Sequence, residues 1–549
     1  MAADKPPQEN GADVTRRRFL GVSAGAAAAG LAAGGGVVAL TRPAIPVDRV
    51  LDLPAHWDRE VDVVIVGGGG SGVCAALSAQ EAGAKVIIVE NAPHIGGLSG
   101  LAVGSVQATG SRLQKEAGIE DDPEWFVEDV IKLAGASGPF KNLDLMRMAA
   151  NNCGPALDWL VDMGVELRGP FEHPGHRVNR MHVLYPTTAA WPKVLGPLME
   201  TRGVEIHLET EGTKLYQTAQ GRVVGIQARN TRSGEPINIL AERAVVLAGG
   251  DFTGSKEWRQ KFLADPVSLS AEAVHPYNNG SKLLMAMAAG AGMAGYRASA
   301  APFFRTFSGN SNIGPAGRQA WEPFDMYDAG AILVNTEGRR FANEESVDRA
   351  LARATLTQPG GVSFIVFDKR VADFFSRWPM VVSSVPGIAE KSGIGGWGLV
   401  DDFVARNDIQ VANSIDEVVS KITAVTNVQI SAPRLKQTIT EWNGYAAAGR
   451  DPEFGRATFG VKETLGAGIG TPPFYIHGPA SALACFTAFS VVVDTELRVY
   501  DAFGKVIPGL YAAGLIGSNN GIGGGHGTNL SWAITSGRVA GRNAGTNLT

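Results

Sequence analysis

The sequence is poor in cysteine. Its 549 residues include three, Cys74, Cys153 and Cys485, too few and too scattered for a zinc site, an iron–sulfur cluster or a CxxCH haem attachment. No metal ligand set is predicted, and any redox chemistry falls to an organic cofactor. Neither sign of charge dominates: 49 Lys plus Arg stand against 54 Asp plus Glu, a formal net charge of −5. No long basic run is present to neutralise phosphates, which argues against nucleic acid as a partner. Charged residues make up only 19% and hydrophobic ones 45%, with a mean hydropathy of +0.02. That balance excludes a disordered or fibrous chain and leaves material for two to four domains. No repeat of solenoid period is visible. Glycine is abundant, at 70 residues, and is concentrated in short clusters of the kind that let backbone approach a ligand.

The N-terminus carries an address. Residues 1–14 are polar, and Thr15-Arg16-Arg17-Arg18-Phe19-Leu20 then leads into an uncharged Ala- and Gly-rich stretch over 21–40. This is similar to a twin-arginine export signal. The stretch has the length of a membrane span, but Ala and Gly contribute little transfer energy, so export outranks anchoring. The expectation is a signal over 1–45, cleaved near 42–46, transient contact with the twin-arginine translocation machinery, and a folded protein delivered to the periplasm or cell envelope.

A dinucleotide site is predicted next. Val61-Asp62-Val63-Val64-Ile65-Val66 reads as a buried parallel strand and feeds into Gly67-Gly68-Gly69-Gly70-Ser71-Gly72 and a small-residue helix. In this G-x-G-x-x-G pattern Gly67 makes the turn, Gly69 admits a pyrophosphate and Gly72 lets helix and strand pack closely, with the helix N-terminus facing the phosphate charge. Gly70 and Ser71 complete the loop. Lys85-Val86-Ile87-Ile88-Val89 forms a second strand, and Glu90, followed by Asn91, stands where a carboxylate can accept from ribose hydroxyls. Three further pieces favour FAD over NAD. His94-Ile95-Gly96-Gly97-Leu98-Ser99-Gly100 is a second glycine loop, and Val245-Val246-Leu247-Ala248-Gly249-Gly250 is a strand ending in paired glycines. Near the end, Gly509-Leu510-Tyr511-Ala512-Ala513-Gly514 precedes Gly523-Gly524-Gly525-His526-Gly527-Thr528-Asn529-Leu530 at the start of a helix. Sites so far apart in sequence suit a long ligand laid across one domain.

Together with Asn279-Gly280-Ser281-Lys282, Asn343-Glu344, Pro473-Phe474-Tyr475 and Ser536-Gly537-Arg538-Val539-Ala540-Gly541, these motifs resemble the fumarate reductase and succinate dehydrogenase flavoprotein superfamily, nearer its 3-ketosteroid dehydrogenase branch. The resemblance covers roughly residues 58–549. It implies an α/β fold: a doubly wound, Rossmann-like FAD-binding domain over 46–285 and 426–549, with an inserted α+β capping domain over 286–425. Substrate would lie between the two, beside the flavin. The family's covalent flavin linkage uses a histidine near position 98; Leu98 there implies non-covalent FAD. His526 would help position the flavin, and His94 is read as structural.

Departures from the family bear on the substrate. Where the resemblance implies His and Arg residues that grip a dicarboxylate, this chain has Ala301-Pro302-Phe303, Cys485-Phe486-Thr487, Gly524 and Asp348. Each missing charged hydrogen bond is worth roughly 1.5–3 kcal/mol, which disfavours fumarate. Phe303, Phe304, Phe307, Trp321, Phe324, Tyr327, Phe486 and Phe489 favour a small apolar, carbonyl-containing substrate. Dehydrogenation beside a ketone needs donors on the carbonyl oxygen, a base for the α-proton and a flavin to take hydride. The resemblance implies Tyr475 for the carbonyl. Asp348 is the candidate base, or, one residue on, Arg349 the proton donor of a reductase. His182 and Tyr185 are further proton-exchanging or hydrogen-bonding candidates. The leading expectation is a ketone dehydrogenase passing electrons to a separate acceptor. A reductase of an enone or unsaturated acid, and a non-catalytic FAD-binding protein, remain as alternatives.

Overall fold

The structure is a computed structural model that describes residues 53–547 except 103, 135–141, 173–174, 186–189, 264–265, 270–272, 274, 296–299, 308–318, 322–324, 347, 376–399, 406, 462–463, 467, 488 and 518–526. The predicted export signal, His526 and Phe324 lie outside the described residues.

The strand Arg59–Val66 begins exposed and ends with four fully buried residues, as expected of β-branched residues in a sheet covered on both faces. It pairs in parallel with Val86–Val89 on one side and Pro236–Leu247 on the other. Glu205–His207 extends the sheet beyond Val86–Val89, and Val506–Ala512 and Arg498–Tyr500 extend it beyond Pro236–Leu247. A hairpin, Thr210–Gln217 and Val223–Asn230, joins antiparallel and completes eight strands. This mostly parallel sheet with helical crossovers is the doubly wound α/β fold expected.

Two helices, Gly70–Glu81 and Thr528–Thr546, pack in unusually close contact. A Cβ added at Gly537, Gly541 or Gly545 would lie 2.3, 2.1 or 2.9 Å from the carbonyl oxygens of Ser71, Ala75 and Ala79. Both rows repeat every four residues, so each is a single ridge along its helix.

A second, antiparallel sheet runs Gln319–Trp321, Ala300–Phe307, Phe474–Thr487, Ser363–Asp368 and Ile332–Asn335, with Ile409–Ala412 also pairing along Phe474–Thr487. The helices Ile415–Thr426 and Ala432–Ala448 share a core with it: Val418, Ile422, Leu435 and Trp442 pack with Val334, Phe364 and Ile476. The sequence reading returned the chain to the first sheet at 426. Instead, the second sheet continues to Thr487 and the return comes at Arg498–Tyr500. Helical periodicity tells which residues of 415–448 are buried, not which sheet buries them.

Candidate functional site

Four glycine segments converge at the ends of the parallel strands. Gly69 bridges Gly96 as an isolated parallel pair, and Gly97 approaches so closely that a Cβ on it would stand 3.0 Å from the Gly69 Cα. A Cβ on Gly67 would meet the Ala248 carbonyl oxygen at 2.6 Å, and one on Gly514 the Ser71 hydroxyl at 2.4 Å. Gly249 and Gly250 follow directly from Ala248. The Gly514 amide is held by the Ser536 hydroxyl (2.9 Å), and its carbonyl accepts from the Trp532 indole (3.0 Å). Gly527 caps the Thr528–Thr546 helix, with Asn529 and Leu530 in the first turn, and its carbonyl accepts from the Gln107 amide at 3.3 Å.

Glu90 is buried at the end of Val86–Val89. Its carboxylate accepts from the Gly68 amide at 2.5 Å and the Ala92 amide at 2.7 Å, which aims it at the loop before the Gly70–Glu81 helix. The Asn91 side chain donates to the Tyr277 carbonyl (3.0 Å), which brings segment 275–282 over this corner.

Whether a dinucleotide fits is answered by Gly69. A Cβ there would meet nothing nearer than the Gly97 Cα at 4.0 Å, so the missing side chain leaves open space beside the helix N-terminus, where anions bind. Around that space Trp191 and Ser99 crowd Gly70: a Cβ there would lie 3.0 Å from the indole and 2.4 Å from the Ser99 hydroxyl. The buried Trp191 Nε1 carries no hydrogen-bond partner. Sequence reading missed Trp191, because an isolated tryptophan has no spacing signature.

The sequence profile of the FAD binding domain family matches residues 62–530. The chain belongs to this FAD-binding-domain family. A fumarate reductase (cytochrome) of Shewanella frigidimarina is 30% identical over 505 residues, covering 88% of this chain and 77% of that protein. The open conformation of a flavocytochrome c3 fumarate reductase matches with a TM-score of 0.73 at 25% identity, over 90% of this chain and 79% of the other. A 3-ketosteroid Δ4-(5α)-dehydrogenase from Rhodococcus jostii shares the fold, with a TM-score of 0.61 at 23% identity over 90% and 98% of the two chains. The FAD-binding-domain protein described here is therefore an FAD-dependent oxidoreductase acting on carbon–carbon double bonds or their saturated counterparts. The non-catalytic alternative falls away.

The candidate catalytic residues of this flavoprotein stand on three elements, Phe474–Thr487, Met181–Tyr185 and Asp348–Leu356. Tyr475 lies near the start of Phe474–Thr487, stacked on Phe367 with centroids 5.0 Å apart. Burial raises its phenol pKa, with Asp373, Asp401 and Asp368 adding to the effect. At the other end of that strand Leu483 and Cys485 pack with Leu98, Leu101 and Phe486, beside the second glycine loop. Tyr475 and the Leu483–Phe486 segment thus belong to one strand, Phe474–Thr487.

His182 is fully buried, with Nε2 2.8 Å from the Ser111 hydroxyl and Nδ1 2.8 Å from the Arg180 carbonyl. Burial pushes it down to about 4, so it is neutral and structural at physiological pH. The Arg168 guanidinium covers the Tyr185 ring at 3.6 Å. Asp348 and Arg349 open the helix Asp348–Leu356, which packs on Ala300–Phe307, Phe474–Thr487 and the 266–269 turn. The approach to this helix is fixed by a buried ion network. Arg340 grips Glu344 through two bonds (2.9 and 2.7 Å) and Asp451 through a third (2.9 Å), and its guanidinium lies over Trp442.

Asp251, another residue the sequence did not flag, ties the site together. Its carboxylate accepts from Thr253 (3.0 and 2.8 Å), from the Asn278 side chain (3.3 Å) and from the Thr487 amide. It thus joins the end of the second sheet's long strand to the loop after Gly250. Burial raises its pKa.

Proposed function

We propose that this enzyme introduces a C=C bond next to a carbonyl in an apolar, alicyclic or steroid-sized substrate. One observation carries the reading. The register that pairs Ala301 with Phe486 and Pro302 with Ala484 brings both segments that lack the family's His and Arg residues side by side. The Leu483–Phe486 end of that pair packs against Leu98 and Leu101 after the second glycine loop. A surface of Leu, Cys and Phe gains from covering hydrocarbon and offers a dicarboxylate no charged donor.

Gly67, Gly69, Gly70, Gly72, Gly96, Gly97, Gly249, Gly250 and Gly514, together with Ser71, Glu90, Asn91, Ser99, Asn529 and Leu530, would hold FAD, non-covalently since Leu98 offers no nucleophile. Bound FAD supplies the two-electron acceptor. The chain's own residues exclude water at 98–101 and 483–486, and Asp348 is the group offered for the α-proton. A separate acceptor reoxidises the enzyme, and residues 1–45 direct twin-arginine export.

The second reading, reduction of an enone or unsaturated acid with Arg349 as proton donor, is favoured by the relative named a fumarate reductase. Anaerobic mixing with a panel of saturated ketones, enones and fumarate, followed at the flavin absorption band, decides between them. Bleaching by a saturated ketone is expected. Reoxidation of reduced enzyme by enones without any ketone bleaching supports the reductase, and rapid turnover of fumarate refutes the apolar pocket.

A further inference from the structure

Gln107 ends the short strand Ser105–Gln107, which follows the second glycine loop, and is fully buried. Its backbone amide donates to the Gly527 carbonyl at 3.3 Å. A Cβ on Gly527 would lie 3.3 Å from the Gln107 Cγ, so the side chain leaves its strand alongside the glycine that caps the Thr528–Thr546 helix. The carboxamide is poorly served there. Its nitrogen meets the sulfur of Met181, opposite it on the next strand, at 3.8 Å, and a thioether is a weak acceptor. Its Oε1 has no hydrogen-bond partner. A buried carbonyl oxygen left this way costs about 1–3 kcal/mol, so its retention calls for a donor from a ligand.

The adjoining helix end has the opposite need. Gly527 brings no side chain to cap it, and a helix of 19 residues presents first-turn amides and the positive end of its dipole. An acceptor therefore stands beside a group of donors. The complement of that pair is a carbonyl next to an N–H, the edge of a cyclic imide, which FAD carries in the pyrimidine ring of its flavin. Position agrees: Gln107 follows the turn whose Leu98 and Leu101 pack with Leu483 and Cys485, the surface read above as the substrate's, whereas Gly69 and Glu90 serve the ADP half.

We propose that Gln107 is a cofactor-binding residue that reads the flavin ring, its Oε1 accepting from the flavin N3–H while the Thr528–Thr546 helix faces the neighbouring carbonyl. This rests on the reading that the glycine loops hold FAD.

The test is to strip the full-length protein of flavin and measure affinity for FAD and for FAD methylated at N3 by fluorescence quenching, and for ADP by calorimetry. Wild type is expected to prefer FAD over the methylated form by about ten-fold or more. Gln107→Ala, which removes the acceptor and leaves room for the methyl, is expected to bind FAD about five-fold more weakly, to bind the two flavins within about three-fold of each other, and to bind ADP as wild type does. A preference for unmethylated FAD that survives in Gln107→Ala overturns the proposal alone, as does wild type that accepts both flavins equally. Weakened ADP binding in Gln107→Ala assigns the amide to the adenine half and also overturns it. Wild type that binds neither FAD nor ADP removes the cofactor reading and the proposal with it. If Gln107→Ala does not fold, Gln107→Met, which keeps the volume, decides: weakened FAD beside unchanged ADP supports the proposal, and unchanged FAD overturns it.

Discussion

Gly69 and Gly72 sit three residues apart in one loop, yet the physics of replacing them differs. Gly69 has φ −69° and ψ 179°, open to any residue, and its side-chain direction is empty. A Cβ on Gly72 would fall 1.9 Å from the Gly67 carbonyl oxygen, so substitution there breaks the strand–helix junction. Gly69→Val is expected to fold as the flavin-free wild type does, with the same unfolding midpoint, but to purify colourless; a yellow variant counts against the cofactor site. His182 shows a second residue-scale effect. Its folded-state pKa of about 4 lies below its ordinary 6.5, so its stabilising contribution is complete above pH 6.5 and is lost as the pH falls toward 4. The amount is about 3 kcal/mol, at ~1.4 kcal/mol per pH unit. Urea midpoints should therefore fall less steeply with acidification in His182→Gln than in wild type, and parallel slopes would refute this.

Between elements, the tightest constraint is the contact of Gly70–Glu81 with Thr528–Thr546. Gly541 faces the Ala75 carbonyl so closely that a side chain can enter only by driving the helices apart. Overpacking of this kind costs ~1–3 kcal/mol and occasionally more. Gly541→Leu is expected at the upper end of that range by urea denaturation, and a loss under half a kilocalorie would show that the helices can yield. Sequence reading quoted Ser536 to Gly541 as a motif without its purpose. The glycines were visible, whereas their partner row, 71, 75 and 79, lies more than 450 residues away and is legible only once the helices meet.

At the scale of the whole molecule, a chain that binds FAD through segments from 67 to 530 has to be folded before the site exists. A folded, loaded protein suits the twin-arginine route read from Arg16 and Arg17. Replacing both with Lys is expected to leave flavin-loaded enzyme in the cytoplasm; unchanged distribution on fractionation would refute the export proposal. The sequence by itself determined the nucleotide half of the site. Strand, glycine turn, helix, strand and Glu90 are consecutive, and local spacing alone dictates how close a phosphate can come and where the carboxylate falls. Only the tertiary structure decided that 301–302 pair with 484–486, that 483–486 pack against Leu98 and Leu101, and that the second sheet runs on to Thr487. These are pairings between distant segments. Side-chain periodicity says which face of an element is buried, but the partner and register are set by the packing of the whole chain.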